Sequence, residues 1–370
     1  MKRLVLAGAV AFACVAGAQN SKDVRINQIQ VIGSHNSYHA GLTPSVQAML
    51  AQTNPKALRG LDYGHPRIPQ QLDAGVRQIE IDVYADTQGG RYSHPASVGV
   101  LASMHLPPDE PYNTDGVMDK PGLKVMHVQD LDPRSTCEPF IQCLKDVRAW
   151  SKAHPQHVPL FILVETKEGQ PLKMPNAVTP EPFTPAVLDG LDAEIRSVFP
   201  ANELITPDDV RGKHKTMPEA IADKGWPLLS KSRGKVVFLL DQRKLTPRYI
   251  DGHEALKGRV AFTNSKPGDP DAAFTEENNG SEEEINTLSK QGYLIRTRAD
   301  SDTEQARTND GSRRDLSLRS GAQLVSTDYP KSEPAKWDGH YFVAMPADAI
   351  VRCNPVNAPA DCKIDPKEKP

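Results

Sequence analysis

The residues with the greatest chemical capacity in this chain stand at the ends of apolar runs. His35 and Asn36 follow Ile29, Val31 and Ile32 across Gly33, Glu80 and Asp82 sit in 78–84, His127 follows Val125-Met126, and Glu165 closes Leu160 to Val164 with Lys167 just beyond. Glu80 and Asp82 are two apart, so on a strand their carboxylates share a face. Two like charges on one buried face push each other toward protonation unless a cation compensates. Asn36, Glu80, Asp82 and Glu165 would offer that cation only oxygen donors, which favours Ca²⁺ or Mg²⁺ over zinc. His35 and His127 remain for proton transfer near neutrality, where imidazole titrates. An unpaired carboxylate at the end of so apolar a run as that before Glu165 would be costly, which argues for a functional partner. Lys167 is a candidate site residue, with plain solvation as the competing reading.

These residues must be positioned by a scaffold, and the apolar segments outline one. Strands are expected over 26–32, 78–84, 124–128, 159–165, 236–241, 259–263, 294–297 and 323–327. Helices are expected over 46–51, 68–74, 137–154, 185–198, 217–224, 282–290 and 301–320. In the 137–154 stretch Phe140, Leu144, Val147 and Trp150 recur every three or four residues, as on a helix laid against a sheet. Strand and helix alternate, so the expected class is α/β, a TIM-type (β/α)8 barrel whose strand ends carry the chemistry. Arg298, Asp300, Asp328 and Tyr329 follow the last two strands and are candidate substrate contacts, with a structural ion pair at Arg298 as the alternative. His39 and His65 read as turn or supporting residues.

Residues 1–18 are expected to be a signal peptide: Lys2 and Arg3 precede an apolar run, and Ala16-Gly17-Ala18 supplies small residues for cleavage. The motif ending at Cys14 is a poor lipoprotein site, since it lacks the aliphatic residue three before the cysteine. The mature chain, 19–370, is read as a single catalytic barrel, exported to the periplasm or medium. It carries a long irregular insertion over 85–122, of the kind that forms lids, and a tail over 331–370. Four cysteines remain after cleavage; they permit three connectivities, and their spacing favours Cys137 with Cys143 and Cys353 with Cys362. A net charge of -3 is too near neutral to indicate nucleic acid as a partner, and no Lys/Arg block marks a polybasic membrane patch.

The stretches Gly33-Ser34-His35-Asn36-Ser37-Tyr38-His39, Asp62-Tyr63-Gly64-His65 and 71–82 resemble the secreted bacterial Ca²⁺-dependent phosphatidylinositol-specific phospholipase C family. The likeness continues through Val125-Met126-His127, Val164-Glu165-Thr166-Lys167, 296–300 and 326–329, spanning nearly the whole mature chain. It implies the barrel of the PLC-like phosphodiesterases and cleavage of phosphatidylinositol or a related inositol phosphodiester, with the inositol 2-hydroxyl as internal nucleophile. It further implies His35 and His127 as the catalytic pair, Ca²⁺ as cofactor on Asn36, Glu80, Asp82 and Glu165, and Lys167 on the phosphate or a sugar hydroxyl. A monomer in peripheral contact with membrane lipid is the matching expectation for partners.

One departure bears on the second histidine: in eukaryotic relatives it follows the acidic pair closely, whereas here 85–122 intervenes and brings His94 and His105. His127 is preferred because it alone ends an apolar strand. Two rival functions are carried forward. A glycerophosphodiester phosphodiesterase usually has Arg-Gly after its first histidine, against Asn36-Ser37 here. A non-catalytic phosphate- or glycan-binding barrel would need no general acid.

Overall fold

The computed structural model describes residues 24–223 and 225–364, so the expected signal peptide lies outside the described residues. In chain order the strands are β1 (Ile29–Ser34), β2 (Gln78–Tyr84), β3 (Lys124–Val125), β4 (Leu160–Thr166), β5 (Val236–Leu240), β6 (Ala261–Thr263), β7 (Phe274–Glu276), β8 (Leu294–Arg298), β9 (Leu324–Thr327) and β10 (Val351–Cys353). Eight of them run parallel in the order β6-β5-β4-β2-β1-β9-β8-β7. The ring is closed by a single bridge between Asn264 and Phe274, where the Ser265 N–H donates to the Phe274 carbonyl at 3.2 Å. The α/β barrel is thus present, nearly closed.

Its strand list differs from the expected one in two places. The 124–128 segment is not a barrel strand: Lys124–Val125 pairs antiparallel with Val83 and Tyr84, forming the neck of the insertion. Its apolar residues looked like barrel core because Met126 is buried with Tyr84, Tyr92 and Met118 in a separate cluster above β2. The eighth barrel strand is instead β7, three residues long and set between polar turns, too short to generate an apolar period. At the other end of the chain, β10 adds antiparallel to β1, so the tail too carries a strand that sequence patterning did not show.

The parallel strands form because they are buried on both sides. All residues of β5 and the Leu160–Val164 part of β4 are buried, as expected for a sheet with helices outside and packed side chains inside. The helices that matter for the site are α1 (Pro44–Thr53), α2 (Pro55–Gly60), α3 (Ile68–Asp73), α4 (Ser97–Ser103), α5 (Phe140–Ala153) and α6 (Pro185–Val198). Thr43 caps α1 by accepting from the Val46 N–H, with Pro44 at the first helical position. α5 and α6 turn Phe140, Leu144, Val147 and Leu188, Leu191, Ile195 toward the barrel. The expected 301–320 helix is two, Glu304–Thr308 and Ser312–Arg319, broken where Asn309 takes a left-handed φ of 50°. Cys137–Cys143 and Cys353–Cys362 are both bridged, matching the favoured connectivity.

Gly33 is required where β1 meets β2. A Cβ there would lie 1.9 Å from Gln78 Oε1 and 2.8 Å from Gln78 Cβ, at the single Gly33–Gln78 pairing of the two strands. Gly33→Ala is expected to destabilise the fold by about 1–3 kcal/mol, the usual cost of overpacking. Urea unfolding would show it as a lower midpoint, and an unchanged midpoint would contradict this packing.

Candidate active site

β1 hands His35 and Asn36 to the C-terminal rim of the barrel, where Asn36 turns the chain with a left-handed φ of 47°. β2 contributes Glu80 and Asp82, β4 contributes Glu165, and Lys167 follows it. The parallel register sets Asp82 beside Glu165, so the two expected carboxylates are neighbours across the sheet. His127 reaches the same rim from the segment after β3. Both histidines line one cleft of about 560 Å³, together with Tyr63, Arg298, Asp328 and residues of α2.

Each histidine has a carboxylate behind its Nδ1. The His35 Nδ1–H donates to Asp328 Oδ1 at 2.7 Å, and the Arg298 guanidinium donates to His35 Nε2 at 3.2 Å. This network assigns the tautomer whose Nε2 lone pair accepts, here from Arg298. His127 Nδ1–H donates to Asp132 Oδ2 at 3.0 Å, and His39 Nε2–H donates to that same oxygen at 2.7 Å. Burial lowers the pKa of His35, helped by the charge of Arg298, and burial likewise lowers that of His127. Against burial, which raises them, the facing imidazoles hold Asp132 and Asp328 well below the usual carboxylate range, Arg298 adding to the effect at Asp328. His94 and His105 are exposed and line no part of the cleft.

The acidic residues form a continuous patch. Lys167 Nζ lies 2.8 Å from Glu165 Oε2 and 3.0 Å from Asp82 Oδ2. Glu80 is buried against the Arg296 guanidinium, which also reaches Glu276 at 3.4 Å. Glu80, Glu165 and Asp241 bring carboxylate oxygens within 4.8 Å of one another. Gln242 steadies this group by donating to Glu165 Oε1 at 2.8 Å.

These donors fit a hard divalent cation. Asn36 donates its amide N–H to Tyr63 at 2.8 Å, which leaves its Oδ1 buried and without a donor. Asp82, fully buried, receives no aligned hydrogen bond; its contact to Lys167 is an ion pair by distance only. Burial raises the pKa of Asp82, as do the charges of Glu165 and Glu80, and it raises that of Asp241 to about 9, reinforced by Glu276, Glu165 and Glu80. Burial is the larger cause of both shifts and the neighbouring carboxylates add to it, two costs of ionisation that a bound cation would relieve. Oxygen donors of this density suit Ca²⁺.

The remaining sequence candidates sit around this centre. Asp300 is buried behind it, accepting from Thr327 Oγ1 and from the Asp328 N–H at 2.8 Å, so it holds Asp328 in place. Tyr329 packs edge-on against Trp337 and Tyr341, lining a neighbouring depression rather than the histidine cleft. His65 donates to Glu333 and to the His35 carbonyl, bracing the first histidine from below. Asp132 and Asp241 are the residues sequence reasoning passed over, while His39, read as a turn or supporting residue, donates to Asp132. Asp241 carried a readable signal, since it ends the apolar 236–240 run as Glu165 ends 160–164.

With this geometry established, similarity to other proteins can be placed. The family model described as "Phosphoinositide phospholipase C, Ca2+-dependent" matches residues 24–355. Among solved structures, a calcium-dependent phosphoinositol-specific phospholipase C from the Gram-negative bacterium Pseudomonas sp., in apo form, aligns with a TM-score of 0.52 at 15% identity, covering 90% of this chain and 96% of that one. A Ca²⁺-dependent phosphatidylinositol-specific phospholipase C from Streptomyces antibioticus aligns with a TM-score of 0.50 at 19% identity, covering 82% of this chain and 94% of that one. No curated protein sequence matches. At such identities the two structures speak for the fold, a PLC-like barrel, while the family match spans most of the described residues. The chain belongs to the Ca²⁺-dependent phosphoinositide phospholipase C family.

Proposed function

We propose that this protein cleaves phosphatidylinositol or a closely related inositol phosphodiester at the rim of the barrel, using His35 and His127 as base and acid. The observation that carries this reading is the pairing of each imidazole Nδ1 with a buried carboxylate, Asp328 or Asp132, at the two sides of one cleft. That pairing leaves the His127 Nε2 for substrate and makes the His35 Nε2 an acceptor, which Arg298 occupies until a substrate hydroxyl replaces it. His35 Nε2, already an acceptor in the network, takes the proton of the inositol 2-hydroxyl as its oxygen attacks phosphorus. His127 Nε2 gives a proton to the departing glycerol oxygen. Bond making and breaking then return an inositol cyclic phosphate and a diacylglycerol.

Asn36, Glu80, Asp82 and Glu165 are the proposed Ca²⁺ ligands, with Asp241 within reach of the same seat. Bound there, Ca²⁺ supplies positive charge to the attacking hydroxyl and the equatorial phosphate oxygens. Arg298, held on Asp328 at 3.4 Å, is positioned to meet a phosphate oxygen next to His35. Lys167 neutralises Asp82 and Glu165 and orders them; despite burial, which lowers it, their charges raise its pKa, so it stays an ammonium. Export to an oxidising compartment and action as a monomer on membrane lipid complete the proposal, the two disulfides supporting the first part.

The test is ³¹P NMR of the products from phosphatidylinositol vesicles in the presence of Ca²⁺. An early resonance of a five-membered cyclic phosphate is expected. Phosphatidate, with the phosphate kept on the glyceride and no cyclic species, would instead assign the chain to the glycerophosphodiesterase chemistry.

A further inference from the structure

His39 is wholly buried and lines no part of the histidine cleft. Its backbone is fixed on both sides, the N–H donating to the Asn36 carbonyl at 2.8 Å and the carbonyl accepting from the His65 N–H at 2.8 Å. Tyr63 meets the ring edge-on, with centroids 4.8 Å apart, and His127 lies beside it at 4.9 Å. The ring Nδ1 has no hydrogen-bond partner. A buried imidazole with one bare nitrogen is a poor choice for packing alone, since an apolar side chain would fill the space without that cost. What the histidine adds is a single bond, from Nε2–H to Asp132 Oδ2 at 2.7 Å.

That oxygen is the one that accepts from His127 Nδ1–H at 3.0 Å. Asp132 ends a tight turn, its N–H donating to the Val128 carbonyl at 2.8 Å, which folds the carboxylate back toward His127. The turn does not by itself set the carboxylate plane, because the terminal torsion of an aspartate is broad. Two donors on one oxygen do set it. The same segment is tied to the end of β1, where Thr136 N–H donates to the Tyr38 carbonyl at 2.8 Å and Ser135 bridges to His39. The strand end that supplies His35 thus also fixes the carboxylate behind His127.

We infer that His39 is a positioning residue for protonation of the leaving group: through Asp132 it aims the His127 Nε2–H at the departing oxygen. The inference rests on the proposed role of His127 as acid. It confines His39 to one part of the reaction. A departing alkoxide needs a proton in the transition state, whereas a nitrophenolate is weakly basic and leaves without one. Loss of the His39 donor should therefore be felt by alkyl esters and hardly at all by nitrophenyl esters.

The test uses two water-soluble inositol phosphodiesters in saturating Ca²⁺ that differ only in the departing group, butanol or para-nitrophenol. The ratio of their kcat values, measured on one sample, does not depend on how much of a variant has folded. His39→Met keeps the length of the side chain and removes the donor, while His39→Gln places an amide N–H near the position of Nε2. The butyl-to-nitrophenyl ratio is expected to fall about ten- to a hundredfold in His39→Met, as for a misplaced catalytic group, and to stay within about threefold of wild type in His39→Gln. His127→Ala should lower the ratio further still. An unchanged ratio in His39→Met, or an equal fall in His39→Gln, would overturn the role of the His39 donor if His127→Ala still lowers the ratio. A ratio unchanged in His127→Ala would overturn the assignment of the acid itself, and this inference with it.

Discussion

His127→Ala is expected to lower kcat by about 10²–10⁴-fold, and His35→Ala by a similar factor, the usual worth of a positioned acid or base. Ca²⁺ affinity should change little in either variant, because neither ring is among the proposed ligands. The two losses should not multiply in the double variant, since removal of one proton-transfer partner already stalls the concerted step. The pH profile gives the same claim a second reading. Burial lowers both imidazole pKa values below the ordinary ~6.5, Arg298 lowering His35 further. Turnover needs one ring neutral and the other protonated, so kcat/KM peaks midway between two values that both lie on the acid side. An optimum below pH 6.5 is expected; an optimum near pH 8 would contradict the assignment. Asp132→Asn should distort this profile as well, because it removes the carboxylate that fixes His127.

Glu165→Gln is the second large effect. Glu165 meets Lys167 at 2.8 Å and Gln242 at 2.8 Å, and its pKa, despite the upward push of burial, is lowered by the Lys167 ammonium. The substitution keeps volume and a hydrogen-bonding oxygen but removes the charge. Calorimetric titration with Ca²⁺ should show affinity weakened by about ten- to a hundredfold, or ~1.4–2.7 kcal/mol. Unchanged affinity would remove Glu165 from the ligand set. A matching loss in Asp241→Asn would add that carboxylate to it. Glu80 is a poorer probe, because its loss takes the nearest counter-charge from the buried Arg296, leaving Glu276 at 3.4 Å, and threatens the fold.

How much of this was legible before the structure depended on the range of the interactions. Glu80, Asp82 and Glu165 announce themselves because a carboxylate inside or ending a β-branched run has no cheap explanation. The barrel follows from alternation of buried runs and amphipathic helices, both local patterns. What failed was also local: Val125-Met126 is as apolar as a barrel strand, yet Met126 is buried with Tyr84, Tyr92 and Met118 in a cluster of its own, and the segment pairs antiparallel with β2. Phe274–Glu276 earns its place in the barrel through the Asn264 bridge and pairing with β8, neither of which leaves a periodic trace in three residues. His39 and Asp132 are separated by 93 residues, so their shared oxygen with His127 could not be read from spacing. Asp300 stood out as a site residue for its position after β8, but its oxygens are taken by Thr327 and the Asp328 amide.

The central claim is that two carboxylate-backed histidines act beside an oxygen-lined Ca²⁺ seat. Its most direct measurement is the rate of phosphatidylinositol cleavage by the purified protein in excess chelator, followed by stepwise addition of Ca²⁺. The rate should be negligible at first and rise with free Ca²⁺ along the curve that calorimetry gives for binding. A full rate in the chelator, with no response to added Ca²⁺, would contradict the account.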